Sequence, residues 1–469
     1  MRVCTIEQMQ KLDKLTIEKY GVAGEILMER AGRWCALVAI DILKELDGKN
    51  VCVLAGRGNN GGDGFVVARY LHEIGYNVQI ILVSEPDKLT GDALLNFNRA
   101  KDAKVPWQRF DSSIPQVDLI IDALLGTGIS GAPRGELADA IEKINEIGAH
   151  GAMVIAVDIA SGVNGDEGSA IGVAVNADAT VTFGFPKLGQ FIHPGRMLTG
   201  ELFIGDIGLD KRAEDEVPTD YQVATIHDIA GLLPKRPDDG HKGTFGKSLI
   251  IAGSAGMTGA AAMASISLLR SGAGLCYTAV PRSLVDTLDC AATEAVVIPM
   301  PEVRKSRCHT LRALGELHKR AKTVDAVAIG PGLGTHTETC EMVQRFLIRL
   351  QKPVVIDADG LNALAGTIDD VIPKITAPSV MTPHVGELAR LISMPIDDVA
   401  RQKIQKATEW AEKLFTTLVI KGNPTFIADK NETIWINPTG NNGMATGGSG
   451  DVLTGLIAGF LAQGLVPRT

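Results

Sequence analysis

Short β-branched runs alternate with helix-period stretches along the whole chain. In the first half, Val51–Ala55, Val78–Val83, Leu119–Asp122, Val154–Asp158 and Ala179–Phe183 read as strands. Helices are expected between them at Phe65–Ile74, Asp92–Ala103 and Leu137–Ile147. Continuous apolar runs separated by helices predict a parallel sheet covered on both faces. Lys211–Asp220 breaks the pattern with charges and a proline, and reads as a linker. The alternation then restarts. Strands are expected at Ser248–Ala252, Leu275–Ala279, Ala326–Ile329, Val354–Asp357, Thr417–Ile420, Thr425–Ala428 and Thr433–Asn437. Helices are expected at Ala260–Arg270, Thr337–Arg349 and Arg401–Phe415, with a last one from about Gly450. The expected organisation is two different α/β domains, 1–215 and 225–469. The ending at Pro467 to Thr469 is abrupt and suggests a truncated C-terminus.

Composition narrows the function classes. The chain has 469 residues, 52 of them glycine, with only 4% aromatics and a formal charge of −9. That balance supplies neither a stacking platform for bases nor a pull toward polyphosphate, so no nucleic-acid partner is expected. The seven cysteines (Cys4, Cys35, Cys52, Cys276, Cys290, Cys308, Cys340) form no CxxC pair. That is neither a zinc pattern nor a disulfide framework, and it suits a reducing compartment. No run approaches the roughly 18 apolar residues of a membrane span, and the N-terminus lacks a signal peptide's apolar stretch. The expectation is a cytoplasmic protein with no membrane partner.

Candidate chemistry lies at strand ends. Val51–Ala55 runs into Gly56-Arg57-Gly58-Asn59-Asn60-Gly61-Gly62-Asp63-Gly64. This contains a formal G-x-G-x-x-G, but Asp63 would repel a pyrophosphate at a helix N-terminus. Two Asn and an Asp offer oxygen ligands that suit a hard cation or a polar ligand. Leu119–Asp122 leads into Ala123-Leu124-Leu125-Gly126-Thr127-Gly128, and Val154–Val157 leads into Asp158-Ile159-Ala160-Ser161-Gly162. Ligands of open α/β sheets sit outside the carboxyl ends of strands, where Asn60, Asp122, Asp158 and Ser161 would converge. An Asp at a strand end can also simply cap a helix.

The combination NNGGDG, DALLGTG and DIASGVNGD resembles the NAD(P)H-hydrate epimerase domain over roughly residues 5–210. Met9, Leu12 and Asp13, and the run Leu27 to Gly32, fit that family's N-terminal helices. The resemblance implies K+ held by Asn60, Asp122 and Ser161. It implies substrate contacts from Asn59, Asn60, Gly61, Gly62 and Asp63, from Gly126, Thr127, Gly128, Ile129, Ser130, Gly131 and Ala132, and from Asp158. Asp158 is then the candidate for proton transfer at the hydrated carbon.

In the second half, Gly246-Lys247-Ser248 precedes a strand and lacks the first glycine of a P-loop, so it is set aside. Gly253 to Ala260 and Gly330 to Gly334 are turns that follow strands. The strongest signal is Gly443-Met444-Ala445-Thr446-Gly447-Gly448-Ser449-Gly450-Asp451. Successive glycine N–H groups at a helix start can cradle a phosphate, and Asp451 stands where a base could take a hydroxyl proton. A helix-capping Asp is the plainer alternative. Lys421 to Thr425 forms a turn after a strand.

These motifs resemble the ribokinase-like superfamily. With HKGTFGK, AGSAGMTGAA, RSGAGL, GPGLG, DADGLN, TPHVGELARL and KGNPT, they resemble its ADP- or ATP-dependent NAD(P)H-hydrate dehydratase branch over about 235–465. The fold class implied is α/β, a Rossmann-like three-layer domain followed by a ribokinase-like one. Nucleotide contacts then fall on Lys421, Gly422, Asn423, Pro424, Thr425 and Gly450. Hydrate contacts fall on Ala260, Gly332, His384 and Asp451, with Asp451 catalytic. ADP with Mg2+ would be the phosphate donor, as the fused bacterial arrangement suggests. One half would interconvert R and S hydrates of NADH or NADPH, and the other would dehydrate the S form. A homo-oligomer is expected. The rival readings are a ribokinase-like vitamin-precursor kinase with a regulatory first half, and a non-catalytic binding module.

Overall fold

The computed structural model describes the chain except residues 112–113, 129–130, 171, 431 and 468–469. It divides into two compact units, Met1–Gln222 and Val223–Thr469.

The first unit is built on seven strands: β1 Asn50–Ala55, β2 Asn77–Leu82, β3 Trp107–Arg109, β4 Leu119–Ala123, β5 Met153–Val157, β6 Ala179–Phe183 and β7 Glu201–Gly205. Their order is β3-β2-β1-β4-β5-β6-β7, and every pairing is parallel. Alternate strand residues point to opposite faces. Val51, Val53, Ala55 and Ile121 join a core with the helices Gly24–Leu46, Asn59–Glu73 and Gly91–Asp102. Cys52, Leu54, Ile120 and Ala156 join a second core with Ala140, Ile141 and Ile144 of helix Glu136–Ala149. Both faces are therefore covered, which is why these strands read as continuous apolar runs. The edge strands β3 and β7 are half exposed. They carry no such run, and the pattern alone did not show them.

Two expectations need correction here. The Gly-rich segment is not a loop before a helix: Gly58 is the N-cap and the helix already starts at Asn59. Its glycines are tolerated because backbone packs closely there; a Cβ on Gly61 would lie 2.0 Å from the Gly56 carbonyl oxygen. Nor is Lys211–Asp220 a linker. Asp210 caps a helix, Lys211–Glu216, whose Ala213 packs with Val217 against Cys4, Met9 and Leu12. Apolar residues at two positions among the charges anchor it to the N-terminal helix Ile6–Lys14.

The second unit has the strands β8 Lys247–Ile251, β9 Leu275–Pro281, β10 Val296–Met300, β11 Ala326–Ile329, β12 Val354–Ile356, β13 Ser379–Met381, β14 Thr417–Ile420, β15 Thr425–Ala428 and β16 Ile434–Asn437. They lie in the order β16-β15-β14-β13-β12-β11-β8-β9-β10. The run from β10 to β14 is parallel, and β15 and β16 add on antiparallel. Helices Thr258–Arg270 and Ser449–Ala462 share one core against this sheet. They approach so closely that a Cβ on Gly455 would sit 2.0 Å from Ser267 Oγ, and one on Gly459 would sit 1.9 Å from Ser271 Oγ. That contact sets where the Asp451 end of the helix lies. The single helix expected over Arg401–Phe415 is two, Ile396–Gln402 and Ala407–Lys413. Residues 403–406 between them form a turn and a bend. Among the described residues no helix is long and apolar enough to cross a membrane, and all seven cysteines are free.

Candidate active sites

In the first unit the chain leaves β1 toward β2 and β3, then returns to β4 on the other side. This switch point opens a crevice outside the strand ends, the usual ligand position of such sheets. Ladder pairs Leu54↔Asp122 and Ala55↔Ala123 put the loops after β1 and β4 side by side. A cleft of about 670 Å³ lies there, lined by Gly58, Asn59, Asn60, Asp63, Gly126–Gly128 and Asp158, and also by Asp13 and Lys187.

Asp122 is fully buried. It accepts from the Ser161 backbone N–H at 2.9 Å and hydroxyl at 2.7 Å, and from Leu124 N–H at 3.2 Å. It is therefore no helix cap. Burial pushes its carboxyl up to about 6, against those hydrogen bonds. Asn60 donates to the Leu125 carbonyl at 3.0 Å. Its own Oδ1 is buried with no hydrogen-bond partner among the described residues. An orphaned amide oxygen beside a buried carboxylate and a hydroxyl is an oxygen cradle that suits a cation.

Asp158 follows β5 with φ of 65°. Its carboxylate takes Thr182 Oγ1 at 3.1 Å and pairs with Lys187, while Gln190 donates to its carbonyl at 2.8 Å. The Lys187 side chain is only 2% exposed. Asp63 is buried in the second turn of its helix, and desolvation, then the Asp158 and Asp13 carboxylates, raise it well above the usual range. Gly61 and Gly62 pack against Gly56 and Met28 and do not line the cleft. Gly131 and Ala132 also lie outside its lining. Ile129 and Ser130 fall outside the described residues.

In the second unit the strand order reverses between β8 and β11, and the following turns meet. A Cβ on Gly332 would lie 3.1 Å from Ala260 Cβ, so these two expected hydrate contacts are neighbours. Lys421, after β14, donates to Asp357 Oδ1 at 2.8 Å, and Glu387 lies 3.6 Å from the same ammonium. Thr454 closes Asp357 Oδ2 at 2.7 Å. A Cβ on Gly450 would lie 3.5 Å from Lys421 Nζ and 3.6 Å from Asp357 Oδ2. The lysine of the KGNPT turn and the start of the TGGSGD helix therefore meet across Asp357. Asp451 is the third residue of that helix, behind the N-cap Gly448. Burial, and next the Asp357 carboxylate, push its carboxyl up to about 6, with Lys421 opposing.

His384 is the N-cap of helix Val385–Ile392, its Nδ1 accepting from Gly386 N–H at 3.0 Å. Its ring remains half exposed. Gly422 and Asn423 are exposed, Pro424 is buried, and Thr425 closes the turn by donating to the Gly422 carbonyl at 2.9 Å.

Asp13, Lys187, Asp357, Glu387 and Thr454 carry no role in the sequence pattern alone. Asp357 and Glu387 lie inside quoted motifs, so their signal was present. Lys187 had one as well, a lysine just past a buried strand in Phe185-Pro186-Lys187.

The family of YjeF-related protein N-termini matches residues 24–189, and the NAD(P)H-hydrate dehydratase family matches residues 248–468. The bifunctional NAD(P)H-hydrate repair enzyme Nnr of Moorella thermoacetica is 38% identical over 477 residues, covering 100% of this chain and 89% of its own. The Thermofilum pendens enzyme of the same name is 39% identical over 476 residues, 99% of this chain and 88% of its own. Among solved structures, the ADP/ATP-dependent NAD(P)H-hydrate dehydratase of Bacillus subtilis, co-crystallised with ATP and Mg2+, is 33% identical over 52% of this chain and 83% of its own, with a TM-score of 0.44. Matched from end to end by such relatives, the chain belongs to the family of bifunctional NAD(P)H-hydrate repair enzymes.

Proposed function

We propose that the first unit interconverts the R and S hydrates of NADH and NADPH, and that the second dehydrates the S hydrate at the expense of ADP. The products are NAD(P)H, AMP and phosphate. The observation that carries this reading is that each unit has its own carboxylate beyond the carboxyl ends of its sheet, Asp158 paired with the buried Lys187 in the first and Asp451 close to the Lys421–Asp357 pair in the second.

In the first cleft the hydrated ring lies among Asn59, Asn60, Asp63, Gly126, Thr127, Gly128 and Asp158. Asp158 moves a proton at the hydrated carbon. Asn60, Asp122 and Ser161 fit potassium, since Asn60 Oδ1 is buried without a hydrogen-bond partner among the described residues. When bound, potassium supplies a fixed positive charge that holds the loops after β1 and β4 and orients the substrate.

In the second unit Asp451 takes the proton of the hydrate hydroxyl as it attacks the donor's terminal phosphate. The amides from Gly447 to Gly450 face the transferring group. A hydroxyl leaves poorly and a phosphate leaves well, so phosphate loss restores the ring double bond. Lys421–Thr425 and Gly450 hold the nucleotide, and Ala260, Gly332 and His384 hold the hydrate. Among the described residues no group of three or more metal-binding side chains is preformed. Magnesium would therefore arrive with the nucleotide phosphates. A cytoplasmic homo-oligomer is the expected form.

Purified R and S hydrates, incubated with and without ADP, test the reading. Interconversion without nucleotide and recovery of NADH absorbance with it are expected. Phosphorylated hydrate accumulating without dehydration would favour the kinase reading instead.

A further inference from the structure

We propose that Asp13 and Lys187 complete the proton machinery of the first cleft: Asp13 donates a proton to the departing hydroxyl, and Lys187 positions Asp158 to receive the proton of the incoming water. The inference rests on the epimerase reading and deepens it.

Lys187 spends its ammonium entirely on protein acceptors. It donates to Asp158, to Thr182 Oγ1 at 2.8 Å and to the Phe183 carbonyl at 3.4 Å. Buried and so held, it acts on the substrate only through Asp158. Asp13 is the opposite case. It lines the same cleft, yet its side chain has no hydrogen bond or ion pair among the described residues. The charged and titratable groups that face it are Lys187, Asp158 and Asp63. Asp13 is only partly exposed at the cleft wall. A carboxyl partly withdrawn from water with no donor beside it is favoured in its neutral form, and burial pushes Asp13 up to about 6. Its helix is firmly placed. Thr5 caps it, and Met9 and Leu12 pack against Ala213 and Val217. Of the carboxyl groups that line the cleft, which include Asp63 and Asp92, Asp158 is paired with a lysine and Asp13 has no hydrogen bond or ion pair among the described residues, a contrast in surroundings that suits a base and an acid.

The chemistry balances. The hydrated carbon bears a hydroxyl and adjoins the ring nitrogen. Asp13 protonates that hydroxyl, the C–O bond breaks with its electron pair on oxygen, and water leaves. The nitrogen lone pair forms the C=N bond of an iminium. Water then adds to the opposite face, and the C=N π pair returns to nitrogen. Asp158 takes the proton that this water loses. The proton returns to Asp13 through solvent, and nothing is consumed.

The test is steady-state R/S interconversion by the full chain in potassium buffer, from about pH 5 to pH 8. Asp13→Asn should lower kcat about 100-fold, as loss of a general acid does, with KM changed by less than about threefold. It should also abolish the fall in rate on the alkaline side. Asp13→Glu should recover part of the rate together with that alkaline limb. Lys187→Met should lower kcat with KM held, and Lys187→Arg should restore part of it. An Asp13→Asn variant within about threefold of the parent kcat, or one that loses rate but keeps the alkaline limb, overturns the role of Asp13. A folded Asp13→Glu with no rate does so too. A parent chain that fails to interconvert the hydrates removes the epimerase reading itself.

Discussion

Lys421 Nζ and Asp357 Oδ1 lie 2.8 Å apart, and Asp357 is 1% exposed. This pair joins β14 to the end of β12 directly beside Gly450. Removing one partner of a buried pair leaves an uncompensated charge and costs about 3–5 kcal/mol when burial is complete. Lys421 keeps some exposure, so Lys421→Met should destabilise the second unit by about 2–3 kcal/mol. Asp357→Asn should cost less, because the amide oxygen still accepts. Denaturant titration of both variants checks the order. Equal stability of parent and Lys421→Met would mean that the pair contributes nothing to the fold.

Asp451→Ala should abolish nucleotide-dependent recovery of NADH absorbance and leave R/S interconversion intact. Loss of both activities would show that the two assignments are wrongly divided. In the parent, dehydration should decline as pH falls through about 6, where the Asp451 carboxylate takes up a proton. The stability effect runs the other way. The folded-state value lies above the ordinary 3.8, so the fold binds this proton more tightly than the unfolded chain does. The group favours folding below about pH 4, and that contribution is lost as pH rises through about 6. Asp451→Asn should then be no less stable than the parent at neutral pH, which thermal melting at pH 5 and pH 7.5 would reveal.

Replacing potassium with a bulky organic cation should slow epimerisation and spare dehydration. Asp122→Ala should make the residual epimerase rate indifferent to the cation. A parent rate that ignores the cation altogether would rule out the cradle at Asn60, Asp122 and Ser161.

ADP should outperform ATP as donor at saturation, with magnesium and contaminating nucleotides controlled. Lys421 and Gly450 are neighbours, so the nucleotide and its terminal phosphate share a short stretch beside Asp451. Equal or faster turnover with ATP would reverse the donor preference and leave the dehydratase reading in place.

Gly32→Ala should destabilise the first unit. Its Cβ would lie 2.4 Å from Val66 Cβ and 2.9 Å from the Asp63 carbonyl oxygen, so two helices must part. Overpacking of this kind costs about 1–3 kcal/mol. The shift should also slow epimerisation, since Asp63 and Asn60 ride on the displaced helix. A variant with the parent's melting temperature and rate would show that the helices adjust freely.

Much of this protein was legible from pattern alone. Strands buried on both faces carry near-continuous apolar runs, so β1, β4, β5 and β11 are legible from pattern, and polar residues just beyond β1 and β5 mark the first cleft. Asn60 and Asp158 line the first cleft as their place at strand ends predicts, because glycine-rich turns at strand ends are visible in one dimension. Edge strands β3 and β7, half exposed and short, gave no such run. The segment Lys211–Asp220 reads as a linker because its charges outnumber Ala213 and Val217, the two residues that anchor it.

Tertiary structure decided which groups meet. Lys187 follows Asp158 by 29 positions, and Lys421 follows Asp357 by 64. No local period relates such residues. Each pairing arises from the order in which strands lie in the sheet, together with helix contacts such as Gly455 on Ser267 that set the strand-end loops at fixed separations. The bare environment of Asp13 likewise depends on what other segments fail to place beside it. Covalent neighbours determine the elements and their polar ends, whereas burial and pairing of charge depend on through-space distance, which only the folded chain defines.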